Sequence, residues 1–196
     1  MKLAICVPVR DTVHSAFAYC LNELTSHLVR SNVDYNLFFQ NGSVLPEQRT
    51  ALVSSALNAK CDYILWLDSD MVFPKNLYQR LSSHNYDIVA CTYSTRTKPY
   101  RNVAFLTHDF NDRLTASVGI HKVSSVGMGL MLTNIDVYKS INKPWFMFDY
   151  DFETNSYLGE DIYFCRQLVE SGYNLYVDVD TSKKCYHLGT VELGTI

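Results

Sequence analysis

The sequence has no apolar stretch near the roughly 20 residues that a membrane-spanning helix needs, and no Cys-X-X-Cys pair, internal repeat or low-complexity tract. Glycine and proline are sparse, at 8 and 5 of 196 residues, which excludes fibrous and Pro/Gly-rich disordered designs. There is no excess of positive charge. The formal net charge of −3 and a pI near 6.0 give no electrostatic case for nucleic acid or an anionic membrane surface. The start, Met-Lys-Leu-Ala-Ile-Cys-Val, briefly resembles a signal peptide, but its apolar core is too short and is closed by Pro8, Arg10 and Asp11. These absences predict a soluble, cytoplasmic chain without a transmembrane segment. The six cysteines are scattered, mostly in apolar segments, where a thiol behaves as a small buried hydrophobe. Free thiols in a reducing compartment are therefore expected.

What remains is the composition of an ordinary globular chain, 47% hydrophobic and 19% charged, long enough for one sizeable core. Its organising stretch is residues 63–74, Tyr-Ile-Leu-Trp-Leu-Asp-Ser-Asp-Met-Val-Phe-Pro. Five apolar residues in a row, 63–67, are the pattern of a strand buried on both faces. The run stops at Asp68, Ser69 and Asp70. Pro74 suits the first turn of a helix, where its missing N–H costs nothing. The two acids then lie just past the carboxyl end of a core strand, where open α/β sheets place their ligands. Carboxylates so spaced can converge on one hard divalent cation.

Around this stretch the pattern alternates. Strands are predicted at residues 2–9, 34–39, 63–67 and 88–91. Helices are predicted from residue 13, with Asp11 or Thr12 as cap and Val13, Phe17, Leu21, Leu24 and Leu28 inside, and over 46–58 and 74–83. This alternation indicates an α/β fold with a doubly wound, mainly parallel sheet and helices on both faces. Beyond Cys91 the regularity weakens. Residues 93–101 form a polar loop carrying Arg96, Lys98 and Arg101. Short strands are predicted at 103–106, 121–126 and 130–133, and a helix at 134–141. An aromatic, acidic stretch follows at 143–158. Gly159-Glu160-Asp161 then opens a helix stopped by Gly172, and strands are predicted at 175–179 and 184–188. One domain over 1–196, with halves 1–92 and 93–196, is the expectation.

Taken in order, these stretches resemble a GT-A-fold, nucleotide-sugar-dependent glycosyltransferase, and the compactness resembles small viral or bacterial members. The resemblance rests on Pro8-Val9-Arg10-Asp11, on Leu65-Trp66-Leu67-Asp68-Ser69-Asp70 as the family's Asp-X-Asp motif, and on Gly127-Met128-Gly129-Leu130. It rests further on Lys143-Pro144-Trp145-Phe146 followed by Gly159-Glu160-Asp161, and on His187. It implies Mn²⁺ or Mg²⁺ bound by Asp68, Asp70 and His187, a mixed O/N set that suits Mn²⁺ better. Asp161 is implied as the general base. Pro8, Arg10, Gln40, Arg49, Asp68, Ser69 and Gly129 would meet a UDP- or GDP-linked donor, the first half of the chain being the nucleotide-binding one. Trp145 and Glu160 would meet a glycan or other hydroxyl acceptor on the second half. The implied reaction is transfer of a hexose, with inversion favoured by the presence of a base. For a viral member the location would be the host cytoplasm.

Other readings of the same residues stay open. Asp68 and Asp70 are also apt caps for a helix at Pro74, and Glu160 and Asp161 suit a helix N-terminus by charge alone. His187 is compatible with an ordinary strand end, Trp145 with plain core, and the Arg96 to Arg101 cluster with a solvated loop or one closing over a diphosphate. Residues 64–72 also match haloacid-dehalogenase-type phosphatases, with Asp68 as nucleophile and Asp70 as acid/base, although that strand usually stands near the N-terminus. A non-catalytic sugar-nucleotide or glycan-binding module on the same scaffold is a third possibility, because fold alone does not establish activity.

Overall fold

The computed structural model describes residues 1–96, 98–107, 109–152 and 155–189. The first half alternates as its hydrophobic pattern requires. Strands β1 (Lys2–Val9), β2 (Asp34–Asn41), β3 (Tyr63–Leu67) and β4 (Ile88–Ala90) are separated by helices α1 (Ser15–Arg30), α2 (Leu45–Asn58) and α3 (Leu77–Ser82). The second half adds β5 (Ile120–Val123), β6 (Leu130–Asn134) and β7 (Leu175–Asp178) to the same sheet, with helices α4 (Asp136–Ser140), α5 (Glu160–Glu170) and α6 (Val179–Ser182). The order across the seven-stranded sheet is β2-β1-β3-β6-β4-β7-β5. β1, β2, β3, β4 and β7 run the same way, and β5 and β6 run against them.

The sheet is covered on both faces, which is why its central strands are unbroken apolar runs. Alternate residues of β3 face opposite layers. Ile64 and Trp66 join Leu52, Phe164 and Leu168 from α2 and α5, while Leu65 and Leu67 join Phe17, Leu24 and Leu81 from α1 and α3. All six cysteines are buried free thiols. Among the described residues no helix is long and apolar enough to cross a membrane.

Several local expectations are corrected. α1 is capped by His14, whose Nδ1 accepts from Ala16 N at 3.2 Å, not by Asp11 or Thr12. Val13 therefore precedes the helix and is exposed. α3 starts three residues after Pro74, because Met71–Val72 is drawn into an antiparallel ribbon with Tyr186–His187. The stretch expected as one strand over 121–126 breaks at Ser124. Its first part ends in β5, and Ser125–Val126 pairs instead with Ala104–Phe105. Gly172 has the left-handed φ of +85° required after α5, and Tyr173 N closes the end on Leu168 O at 2.9 Å.

Candidate active site

The carboxyl ends of β1, β2 and β3 form one edge, and the chain brings its other functional segments to that edge by pairing. In the ribbon, His187 stands opposite Met71, and Leu188 N donates to Asp70 O at 2.9 Å. This sets His187 Nε2 3.5 Å from Asp70 Oδ2. On the other side, Leu130 of β6 pairs with Leu67, so the preceding glycine segment falls beside the acids, with Asp68 N donating to Gly129 O at 2.9 Å. The Tyr93 hydroxyl, reaching in from beyond β4, accepts from Gly129 N at 2.9 Å. A Cβ at Gly127 or Gly129 would lie 2.6 or 2.7 Å from that hydroxyl, so both positions require glycine for close approach.

Behind the acids lies Arg49, 1% exposed on α2. Its Nη2 donates to Asp68 Oδ1 at 3.0 Å and its Nε to Glu160 Oε1 at 3.1 Å, and its guanidinium lies 5.4 Å from the centre of the Trp66 ring. Burial alone would lower its pKa, but the carboxylates of Asp68 and Glu160 outweigh that and keep it charged. Trp66 is held in turn by Tyr138, whose hydroxyl accepts from the indole N–H at 2.9 Å. One buried cation thus ties the end of β3 to the start of α5.

Asp161 is the second residue of α5, with Oδ1 accepting from Ile162 N at 2.8 Å. Burial, reinforced by the neighbouring charge of Glu160, pushes its carboxyl up to about 6. It lines a cavity of about 300 Å³ with Phe105, Phe110, Arg113, Tyr157 and Ile162. A cleft of this size has the dimensions that suit a small ligand, and a carboxyl titrating near neutrality is suited to proton transfer.

The donor set at Asp70 and His187 fits a divalent cation. His187 Nδ1 lies 3.1 Å from Ser94 O, a contact that places the proton on Nδ1 and leaves Nε2 with its lone pair, as a metal ligand requires. Asp70 Oδ1 is a buried acceptor with no hydrogen-bond partner among the described residues. Two protein ligands suffice for a cation completed by substrate phosphate oxygens. Among the described residues no three His, Cys, Asp or Glu side chains converge on one point, because Asp68 turns to Arg49 and not toward Asp70 and His187.

The remaining expected residues are distributed as follows. Pro8, Gln40 and Ser69 lie at the strand-end edge. Gln48, which the sequence did not single out, joins two of these strands, donating to Val9 O at 2.6 Å and Gln40 O at 2.7 Å. Ser69 O accepts from His14 N, and exposed Arg10 pairs with its neighbour Asp11 at 3.6 Å. Glu160 is buried against Arg49. Trp145 is 4% exposed and packs edge-on to Tyr138, so no open ring face is presented to a ligand. Of the residues lining the cleft, Tyr157 is an exposed aromatic, at 84%. Tyr93 and Ser94 carried no signal in the sequence, since nothing in their local pattern separates them from loop residues.

The fold is that of the GT-A type. Many solved structures share the fold, two of them as follows. The protein A197 from STIV, a virus, has 18% identity and a TM-score of 0.62 over 100% of this chain and 98% of its own. A Drosophila β1,4-galactosyltransferase 7 variant in complex with manganese, UDP-Gal and xylobiose has 17% identity and a TM-score of 0.56 over 95% of this chain and 70% of its own. No curated protein matches the sequence. The chain belongs to the Anp1 family, a glycosyltransferase family whose model matches residues 32–139, more than half of its length. This membership displaces the phosphatase reading of Asp68 and Asp70.

Proposed function

We propose that this chain is a metal-dependent glycosyltransferase, moving a hexose from a UDP- or GDP-linked donor to the hydroxyl of a glycan acceptor with inversion. The observation that carries the reading is Asp161, a half-buried carboxyl lifted to about 6 in a cleft beside the Asp-X-Asp turn. As the acceptor oxygen bonds to the anomeric carbon, Asp161 takes its proton. Oδ1 is engaged by Ile162 N, so Oδ2 is the oxygen that receives it. The bond between sugar and diphosphate breaks, and its electron pair leaves with the phosphate oxygen. Asp70 and His187 would hold the cation, which supplies positive charge against the departing diphosphate. Arg49 keeps Asp68 and Glu160 oriented on either side. The manganese, UDP-Gal and xylobiose bound by the galactosyltransferase neighbour support the choice of cation, donor class and acceptor class.

The test is a thermal-shift panel of UDP and GDP, each with and without Mn²⁺, on wild type and Asp70→Ala. A ligand at a hundred times its Kd adds about 2.7 kcal/mol, a shift of roughly 5–10 °C for a domain of this size. The expected result is a shift that needs one nucleotide and Mn²⁺ together and disappears in Asp70→Ala. Nucleotide binding that ignores Mn²⁺ and Asp70 would sink metal dependence. Binding without any sugar transfer would favour the non-catalytic module.

A further inference from the structure

The guanidinium of Arg96 lies on the two atoms best suited to hold a cation. Its Nη2 donates to Asp70 Oδ2 in a very short ion pair, and its Nε donates to His187 Nε2 at 2.7 Å. No packing explains this placement, since the side chain is 55% exposed, and exposed ion pairs contribute little to stability. From this we infer that Arg96 is the exchangeable counter-ion of the site. It holds Asp70 and His187 in ligand geometry, yields both atoms to a divalent cation, and then turns its charge to the diphosphate. The inference rests on the metal-dependent reading above and adds a role for a residue outside the expected ligand set.

Chemistry makes the two states exclusive. The single lone pair of His187 Nε2 cannot accept from Arg96 and bind a metal at once. A guanidinium left against Asp70 would also sit within about 4 Å of a doubly charged ion, where like charges repel strongly. The exchange needs only the side chain to move, because the backbone around it is pinned. Thr95 N donates to Arg101 O at 2.9 Å and Val103 N to Tyr93 O at 3.1 Å, while Ser94 O stays on His187 Nδ1 at 3.1 Å. The imidazole therefore keeps its tautomer and orientation when Arg96 leaves. A planar fork released beside a metal-bound diphosphate is well matched to phosphate oxygens.

The test measures Mn²⁺ alone, by the electron paramagnetic resonance signal of the free ion, on wild type, Arg96→Ala, Arg96→Lys and Asp70→Ala. Nucleotide affinity is then measured for the same proteins at saturating Mn²⁺. Arg96→Ala is expected to bind Mn²⁺ about tenfold more tightly than wild type, yet to bind UDP or GDP about tenfold more weakly once Mn²⁺ is present. Arg96→Lys, a point charge unable to bridge both atoms, should fall between on each measure. Opposite signs in one variant cannot come from general damage to the fold. Equal Mn²⁺ affinity in wild type and Arg96→Ala, with loss in Asp70→Ala, would overturn the exchange while leaving the metal site standing. Unchanged nucleotide affinity in Arg96→Ala would remove the transfer to diphosphate. Failure of every protein to bind Mn²⁺, with or without nucleotide, would remove the metal reading and the exchange with it.

Discussion

Arg49 and Asp68 form a 3.0 Å ion pair in which the arginine is wholly enclosed and the carboxylate is still partly exposed. The other arm of the same guanidinium holds Glu160, next to Asp161. The acid that ends β3 and the carboxyl proposed as base are therefore positioned by one cation. Their relative placement depends on α2, an element that contributes no group to the cleft surface beyond this support.

Removing that cation should be costly. Arg49→Met leaves Glu160 buried and unpaired and Asp68 unsupported, and breaking a buried pair from one side typically costs about 3–5 kcal/mol. Urea denaturation should show a loss at the lower end, because Asp68 is partly solvated. Adding Glu160→Gln to Arg49→Met should recover at least about 1 kcal/mol, since the stranded charge is then gone. A double variant no more stable than Arg49→Met alone would mean that Glu160 does not depend on Arg49.

The close approach of Tyr93 to the glycine segment gives a second prediction. A methyl group at residue 129 would meet the Tyr93 hydroxyl at 2.7 Å and Asp68 Oδ2 at 3.2 Å. Gly129→Ala should destabilise the chain by about 1–3 kcal/mol, as overpacking does. Turnover should fall further than stability, because the displaced atoms border the donor site. Tyr93→Phe in the same chain should relieve part of the strain, read as a partial return of the melting temperature. No relief would show that the collision is with Asp68.

Much of this edge was legible in the sequence, for a physical reason. A buried strand must be apolar, so the point where acids interrupt it marks its end, and Asp68 and Asp70 stand out from residues 63–67. The position of β6 was not legible. Its apolar run announces a strand, but strand neighbours are chosen by long-range packing that no local pattern encodes. Trp145 illustrates a second limit. An aromatic after Lys143-Pro144 has the same signature whether it stacks on a ligand or, as here, packs edge-on against Tyr138 in the core. Arg49 was visible as a basic residue on the right helix, but not as an enclosed one, because its burial depends on carboxylates 19 and 111 residues away. Arg96 looked like one of several loop charges, and only its contacts set it apart.

The exposed ring of Tyr157 should act on the acceptor alone. It borders the cleft beside Asp161 and is 84% exposed, which suits a platform for a sugar ring more than a core contact. Tyr157→Ala should raise KM for the acceptor about fivefold, with kcat at saturating acceptor and donor hydrolysis in water nearly unchanged. A fall in kcat without a change in KM would place Tyr157 in the support of Asp161 instead.

The strongest prediction concerns Asp161 and pH. A base must be ionised to act, so kcat/KM should fall about tenfold per pH unit below an acid limb near 6. Stability should move the opposite way. The folded-state value of about 6 lies above the ordinary 3.8, so ionising Asp161 is harder in the folded chain than in the unfolded one. Its contribution to stability is intact below pH ~3.8 and is lost as the pH rises through about 6. Replacing Asp161 with Asn removes that loss. The variant should be more stable than wild type by up to about 3 kcal/mol near pH 8, with most of the difference gone near pH 4, while transfer activity is abolished. Donor binding should be nearly unaffected. Activity retained in Asp161→Asn would exclude Asp161 as the base, whereas equal stability of the two proteins at both pH values would mean that the carboxyl is not desolvated as its surroundings require.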